Sequence, residues 1–312
     1  MADTIKRVRK TLDKQREEKP VLKELLDSFG PLWLARAEEQ ERLKEEFAPK
    51  GLALPKWDEN RSSSGVSLLS DAELSWMWPH VVACFESYLP LFAEQERLLP
   101  GKAAVEAFFA EERDTGFTQD FLRAVIDADT ERLSTLSRLE GLDAASLVLA
   151  SEFSLSTVLR ALTDNLVAQD DGETSHWPLW TQGYCPVCGR LPVMDWLGKG
   201  YEDKNNPYLT AGGGRKFLHC GLCGADWRFR RAICPACGSE KKGCMETFYA
   251  STNQAEHVSF CSECKKYCVG LDMRNISPVP DLDVMAFCML PLDMLAAEKE
   301  LVPMCRTSWN QF

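Results

Sequence analysis

Four copies of Cys-x-x-Cys fall within about eighty residues of one another, and no other feature restricts the folding of this 312-residue chain so severely. They are Cys185/Cys188, Cys220/Cys223, Cys234/Cys237 and Cys261/Cys264. A two-residue spacing makes a sharp turn in which both sulfurs converge on one point. Gly189, Gly224 and Gly238 follow three of the pairs, and glycine enters the left-handed region without a Cβ clash. Pro186 and Pro235 fix φ inside two of the turns. The fourth pair carries Lys265 at the glycine position, where a left-handed backbone costs roughly 1–2 kcal/mol. This is the local chemistry of metal knuckles rather than of arbitrary thiol pairs.

Two knuckles supply four thiolates, enough to enclose one tetrahedral ion. Sequential pairing gives Cys185, Cys188, Cys220 and Cys223 for a first site. It gives Cys234, Cys237, Cys261 and Cys264 for a second. The intervening stretches, 189–219 and 238–260, each contain strand-like sequence able to form a hairpin. Pairing the two middle knuckles instead, across 224–233, would leave the outer two to meet across the domain. A four-thiolate site is coordinatively closed, so a mainly structural role is expected. A structural zinc supplies roughly 10–16 kcal/mol of apparent binding free energy, which small units with little core need. Two metal ions are expected, zinc by default, with iron the rival because the same four thiolates describe a rubredoxin site.

The opening "MADTIKRVRKTLDK" contains no apolar core of a leader. The apolar stretch "VMAFCMLPLDMLAA" is interrupted by Pro291 and Asp293, which argues against membrane insertion. A cytoplasmic location follows as the expectation, and reducing conditions there disfavour structural disulfides. Cys84 and Cys288 lie in apolar helical stretches and are expected as small buried hydrophobes, whereas Cys305 is expected at the surface. His219 precedes Cys220 and is weighed both as a lining residue of the first site and as an ordinary core or surface histidine. No Gly-x-Ser-x-Gly elbow, His-Glu-x-x-His helix or P-loop is present, so an enzyme is not expected.

The chain changes character near residue 181. Before it, Cys84 is the only cysteine, and apolar residues recur at helical spacing. "VLKELLDSF" aligns Val21, Leu22, Leu25 and Leu26; a new helix start is expected at Pro31. Further helices are expected in "HVVACFESYLPLFAEQERLL", "AAVEAFFAEE", "TQDFLRAVIDAD" and "LVLASEFSLSTVLRALTDNL". After Gly183 come short strands, "PVMDW", "KFLHC", "DWRFRRAIC", "METFYA" and "CVGLDM". "GKGYEDKNNPYLTAGGGRK" reads as a hairpin loop, and "DLDVMAFCMLPLDMLAAEKE" as a closing helix. The fold class is α+β. A helical domain (1–180) precedes a first four-cysteine unit (181–232), then a second with a C-terminal helix (233–312).

Residues 181–280 hold thirteen Lys/Arg and nine Asp/Glu, a balance of +4, which leaves −15 for the rest of a chain whose net charge is −11. In "DWRFRR", a strand would place Arg228 and Arg230 on one face and Trp227 and Phe229 on the other. Trp227, Arg228, Arg230 and Arg231 are candidate partner-binding residues, since Trp and Arg anchor interfaces. An amphipathic strand with a solvated face accounts for the same pattern. Nucleic acid is disfavoured by the acidity of the whole, although a zinc-ribbon nucleic-acid binder stays a third reading.

The stretches "GYCPVCGRLPVMDWL", "RKFLHCGLCGADWRFRRAICPACG" and "FCSECKKY", in this order, resemble the formate dehydrogenase accessory protein family, as does the closing "LDMLAAEKELVPMCRTSWNQF" more loosely. The resemblance spans roughly 181–312; the helical half agrees only in type. It implies a helical domain followed by two rubredoxin-like units, with the metal role falling on the eight knuckle cysteines. It also implies a cytoplasmic maturation factor that binds the catalytic subunit of formate dehydrogenase and is not itself the dehydrogenase. A rubredoxin-like electron-transfer module is the alternative, and self-association is left open. The loop at Gly212–Gly214, Lys265 and the divergent tail depart from the family pattern.

Overall fold

The computed structural model describes residues 3–48, 57–94, 99–167, 177, 179–199, 214–251 and 253–310. Its helical part contains α1 (Asp3–Glu18), α2 (Lys23–Phe47), the short α3 (Glu59–Ser63), α4 (Trp78–Glu94), α5 (Lys102–Ala110), α6 (Thr115–Asp127), α7 (Thr130–Glu140) and α8 (Ala144–Val167). Several starts are fixed by aspartate caps. Asp58, Asp114 and Asp129 each accept a hydrogen bond from a first-turn backbone N–H of α3, α6 and α7. α8 is apolar or small on nearly every side, so it can only be a central helix. It packs against α2, α4, α5, α6 and α7, and Leu147, Leu155, Val158, Leu159 and Leu162 are fully buried. By length and composition α8 could cross a membrane, but 72% of its apolar window is buried inside the protein.

Two local expectations need correction. Pro31 does not start a helix; α2 runs through it. Proline removes one N–H and crowds the preceding turn. There Arg16 of α1 donates to the Leu26 carbonyl (3.3 Å) and to the Asp27 carboxylate (2.9 Å). The stripe near residue 21 is half as wide as expected, because Leu22 and Leu26 are buried while Val21 and Leu25 are exposed. α7, with Leu133 buried, is not among the helices expected from the sequence.

The second half is built on a repeat of knuckle, strand, strand, knuckle, strand. The first unit provides β1 (Met194–Gly198), β2 (Arg215–His219) and β3 (Asp226–Arg228). The second provides β4 (Met245–Tyr249), β5 (Glu256–Cys261) and β6 (Lys266–Asp272). Within each unit the pairing is antiparallel, but β1 and β6 pair in parallel, so the two units form one sheet in the order β3-β2-β1-β6-β5-β4. A short β7 (Val302–Pro303) adds to β6. The link 229–244 must pass from one edge strand to the other, and it carries the third knuckle with it.

One sheet face, with Met194, Val258, Tyr267, Val269 and Leu271, packs against α9 (Leu282–Cys288) and α10 (Leu290–Glu298). The closing segment is therefore two helices rather than one, with Pro291 in the first turn of α10. On the other face the junction is fastened by charge. Asp195 of β1 and His257 of β5 flank Gly270 of β6 in register and meet across it at 3.1 Å. Lys216 of β2 reaches Asp195 at 3.0 Å. A Cβ at Gly270 would lie 2.3 Å from His257 Nε2 and 2.6 Å from Asp195 Oδ1, so only glycine leaves room for this contact. Burial alone would raise the Asp195 carboxyl, but Lys216 and then His257 outweigh it and hold it near 2.

The candidate metal centres

The four knuckles share one backbone device. The N–H after each second cysteine donates to the carbonyl of the first: Gly189 to Cys185, Gly224 to Cys220 and Gly238 to Cys234 at 3.0 Å, and Lys265 to Cys261 at 2.9 Å. All four donors have positive φ, 83°, 73°, 69° and 59°. Lys265 thus adopts the left-handed turn of its three glycine counterparts despite its side chain.

The chain brings Cys185, Cys188, Cys220 and Cys223 into one group and Cys234, Cys237, Cys261 and Cys264 into another, with the sulfurs of each within 4.8 Å of one another. Two cross-knuckle distances are 3.4 Å (Cys185–Cys223 and Cys188–Cys220) in the first group. In the second they are 3.7 Å (Cys234–Cys264) and 3.8 Å (Cys237–Cys261). A disulfide bond is about 2.05 Å long, so none of these pairs is one. Metal–sulfur bonds of about 2.3 Å in a tetrahedron give sulfur–sulfur edges of about 3.8 Å, which the second group matches and the first approaches. The residues fit a four-coordinate thiophilic ion in both places. Such an ion would cross-link two knuckles and supply the positive charge that clustered thiolates require.

The two groups differ in their surroundings. The first lies inside the molecule, with all four cysteines buried in the core shared with the helical domain. A knuckle turns several carbonyls outward, and here the helical domain satisfies them. Ser67 Oγ donates to the Cys185 carbonyl (3.0 Å), and the N–H groups of Leu68 and Leu69 to those of Pro186 (2.8 Å) and Val187 (2.9 Å). From α8, Ser156 Oγ donates to the Leu222 carbonyl (2.6 Å) and Arg160 to that of Gly221 (2.7 Å). In the other direction, Arg190 beside the first knuckle donates to the Ile126 carbonyl at the end of α6 (2.7 Å) and pairs with Glu152 (2.6 Å).

A buried ion cluster completes this wall. Asp283 of α9 pairs with Arg36 (2.9 Å) and Arg160 (2.8 Å), joining α2, α8 and α9 at one carboxylate. Burial works against that charge, but Arg160 and Arg36 hold the carboxyl well below the usual range. His219 lines this cluster rather than the sulfur group, with Nδ1 3.1 Å from Asp226 and Nε2 3.3 Å from Asp283. Burial opposes the imidazolium, yet Asp226 and then Asp283 raise it to about 10. Within the sulfur group, burial pushes the Cys185 thiol up, while hydrogen bonds from Cys185, Cys188 and Cys223 hold Cys220 low.

The second group is peripheral. Cys234 and Cys261 are buried, Cys264 is partly open and Cys237 is exposed. Its apolar support is a small cluster of Cys244, Cys268, Met304 and the buried ligands. The tail braces it, through Val302 N–H to the Lys265 carbonyl (2.9 Å) and Met304 N–H to that of Tyr267 (2.8 Å). Cys84 and Cys288 are buried, as their apolar settings suggest, and burial pushes both thiols up to about 12. Cys305, expected at the surface, is half-buried.

Residues 227–230 alternate in burial, with Arg228 and Arg230 exposed and Trp227 and Phe229 buried, although β3 itself ends at Arg228; Arg231 is exposed as well. Trp227 does not present its ring to a partner: it is 1% exposed, and its Nε1 donates to the Gln182 carbonyl. Its ring lies instead in the core shared with Trp177 and Trp180. Trp177 Nε1 donates to the Asp226 carbonyl of β3 (2.9 Å), and Trp180 Nε1 to that of Tyr184 (2.9 Å). His176 and the loop residues 200–213, including Gly212 and Gly213, lie outside the described residues.

A helical domain joined to two head-to-tail four-cysteine β-units in one sheet defines the structural class. No family model matches the chain. It is similar to proteins named FdhE homolog: 30% identical over 124 residues to that of Aquifex aeolicus and 32% over 106 residues to that of Shewanella baltica. These matches cover 39% and 34% of this chain, and they span only 40% and 30% of those relatives' lengths. As a fold, the likeness extends over nearly the whole chain. The crystal structure of the FdhE protein from Pseudomonas aeruginosa aligns with a TM-score of 0.56 at 16% identity, covering 96% of this chain and 93% of that one. The resemblance read from the knuckles, and the α+β class with its helical start and paired four-cysteine units, both stand.

Proposed function

We propose that this protein is a cytoplasmic accessory factor for the maturation of formate dehydrogenase, that it binds the catalytic subunit, and that it is not itself an enzyme. The observation that carries the reading is the sequence similarity to the FdhE homologs. The paired sulfur groups agree with it, since they fit closed metal sites with no open position for a substrate. Cys185, Cys188, Cys220 and Cys223 hold one ion, and Cys234, Cys237, Cys261 and Cys264 the other, each zinc or iron. The first ion locks the β-units to the helical domain, and the second shapes the outer unit. The client meets the basic surface at Arg228, Arg230 and Arg231, the exposed side of the first unit.

The test is co-purification from native cells with metal analysis of the eluate. The formate dehydrogenase catalytic subunit should be retained together with about two equivalents of zinc plus iron. Absence of that subunit from an intact, metallated bait would refute the accessory role. A rubredoxin-like electron carrier is the second reading, favoured by the exposure of Cys237 at the outer group. It requires iron there and a reversible colour change on reduction.

A further inference from the structure

A groove of about 940 Å³ opens along the edge strand β3, beside the aromatic link. Its walls include Arg215, Arg228, Arg230 and Arg231, and no acidic residue is among its described lining. The chain as a whole has a net charge of −11, so this concentration of positive charge is local. Arg228 makes no ion pair among the described residues. Arg230 has an exposed pairing with Glu240 (2.9 Å), a class of contact worth little in water and readily exchanged. Arg231 donates to the Gly214 carbonyl (2.7 Å), which fixes its position at the groove wall.

An independent oddity lies at the same place. Leu179 sits on the groove wall with its side chain 57% exposed and with φ +62°. An exposed leucine in the left-handed region carries two unfavourable features at once, each of which the fold would shed if the position had no task. Under it, Trp180 and Phe229 are buried and form an apolar base.

From this combination we infer that the groove binds an extended acidic segment of a protein partner, which also presents an apolar side chain to Leu179. Arg228 ends β3 and Arg230 is exposed two residues further on; alternate residues of an extended chain lie about 6.6 Å apart, so an extended partner segment can offer its alternate side chains to the two. Guanidinium groups take carboxylates in bidentate fashion, so alternate Asp or Glu residues suit them. A nucleic acid suits the site less. Its phosphates continue past the groove, along a chain that carries a net −15 outside 181–280. A leucine on the wall has no role toward phosphate. This deepens the reading above and rests on it for the partner's identity, though not for the chemistry of the groove.

Three probes test it on the full-length metallated protein: a fluorescent ten-residue peptide of alternating Glu and Leu, a single-stranded DNA of matching charge, and the formate dehydrogenase catalytic subunit. The peptide should bind more tightly than the DNA. Its affinity should fall at least tenfold in Arg228→Glu/Arg230→Glu and several-fold in Leu179→Ser, with metal content unchanged in both. Tighter DNA binding, no peptide binding, or unchanged peptide affinity in a fully metallated double variant would overturn the inference. If the peptide binds as expected and the catalytic subunit does not, the groove chemistry stands and the accessory role fails. If the subunit binds the parent and the double variant equally, the accessory role stands and the groove is not its docking site.

Discussion

The two sulfur groups have the same ligands, the same turn and the same donor at the turn's end, yet one is a core and the other a surface. In the first, five donors from the helical domain and its loops (Ser67 Oγ, the Leu68 and Leu69 N–H groups, Ser156 Oγ and Arg160) reach knuckle carbonyls, and all four cysteines are buried. In the second, a short tail strand supplies the bracing and Cys237 meets solvent. Identical local chemistry therefore leads to different dependence. If both groups hold an ion as proposed, removing it from the first should loosen the contact between the two halves of the molecule, whereas removing it from the second should loosen only an outer unit.

The largest expected effect is the contrast between Cys220→Ser and Cys264→Ser. Losing a buried ligand of a structural site should lower the melting temperature by roughly 10 °C or more, since one kcal/mol is worth about 2–4 °C in chains of this order and several are at stake. Cys264→Ser should retain the helical circular dichroism and melt within a few degrees of the parent. Equal losses would end the distinction between a core site and a surface site. Next comes Asp283→Asn, which leaves Arg36 and Arg160 buried without their shared carboxylate. Breaking such a cluster costs about 3–5 kcal/mol. Denaturant unfolding should show this loss, with metal content measured alongside.

A pH effect distinguishes the packing of the outer unit. Asp293 of α10 is buried and accepts a hydrogen bond from Tyr267 of β6 (2.8 Å), and burial raises its carboxyl to about 7. The folded state holds this proton more tightly than the unfolded chain does. Stability from the group is thus fully present below pH 4 and is lost as pH rises toward 7. Asp293→Asn cannot ionise, so it should be more stable than the parent at pH 8 by about 1–3 kcal/mol, given 1.36 kcal/mol per pKa unit. Melts of both proteins at pH 5 and pH 8 decide it; a parallel pH response would exclude Asp293 as its source. The smallest effect is at the fourth knuckle. Lys265→Gly removes a side chain from φ +59° and should stabilise the second unit by about 0.5–1 kcal/mol, visible as slower metal loss.

The contrast between the sites also marks what a sequence can reveal. The turn at each knuckle was legible because Gly189, Gly224 and Gly238 report a local backbone requirement, and Lys265 could be recognised as the strained exception. The helix-then-sheet order was legible from periodicity. Burial of the first site was not, because it depends on Ser67, Ser156 and Arg160, ordinary residues until the knuckle carbonyls are placed against them. The single sheet was hidden for a related reason: β1 and β6 are far apart in sequence, and Gly270 acquires meaning only once Asp195 and His257 stand on either side of it. β5 escaped notice because its alternation mixes Val258 and Phe260 with His257 and Ser259, polar residues that the fold buries. Burial of Trp227 is not legible because the sequence does not show that its ring joins the core that Trp177 and Trp180 also enter.

The most direct test of the two-site account is metal release from anaerobically purified, folded protein into a chromogenic chelator, followed alongside circular dichroism. The account predicts two equivalents in two phases. One ion leaves promptly with the helical signal unchanged, and the other leaves only as the protein unfolds. Release of both ions in a single phase from folded protein, or a total of one equivalent or fewer, would contradict it.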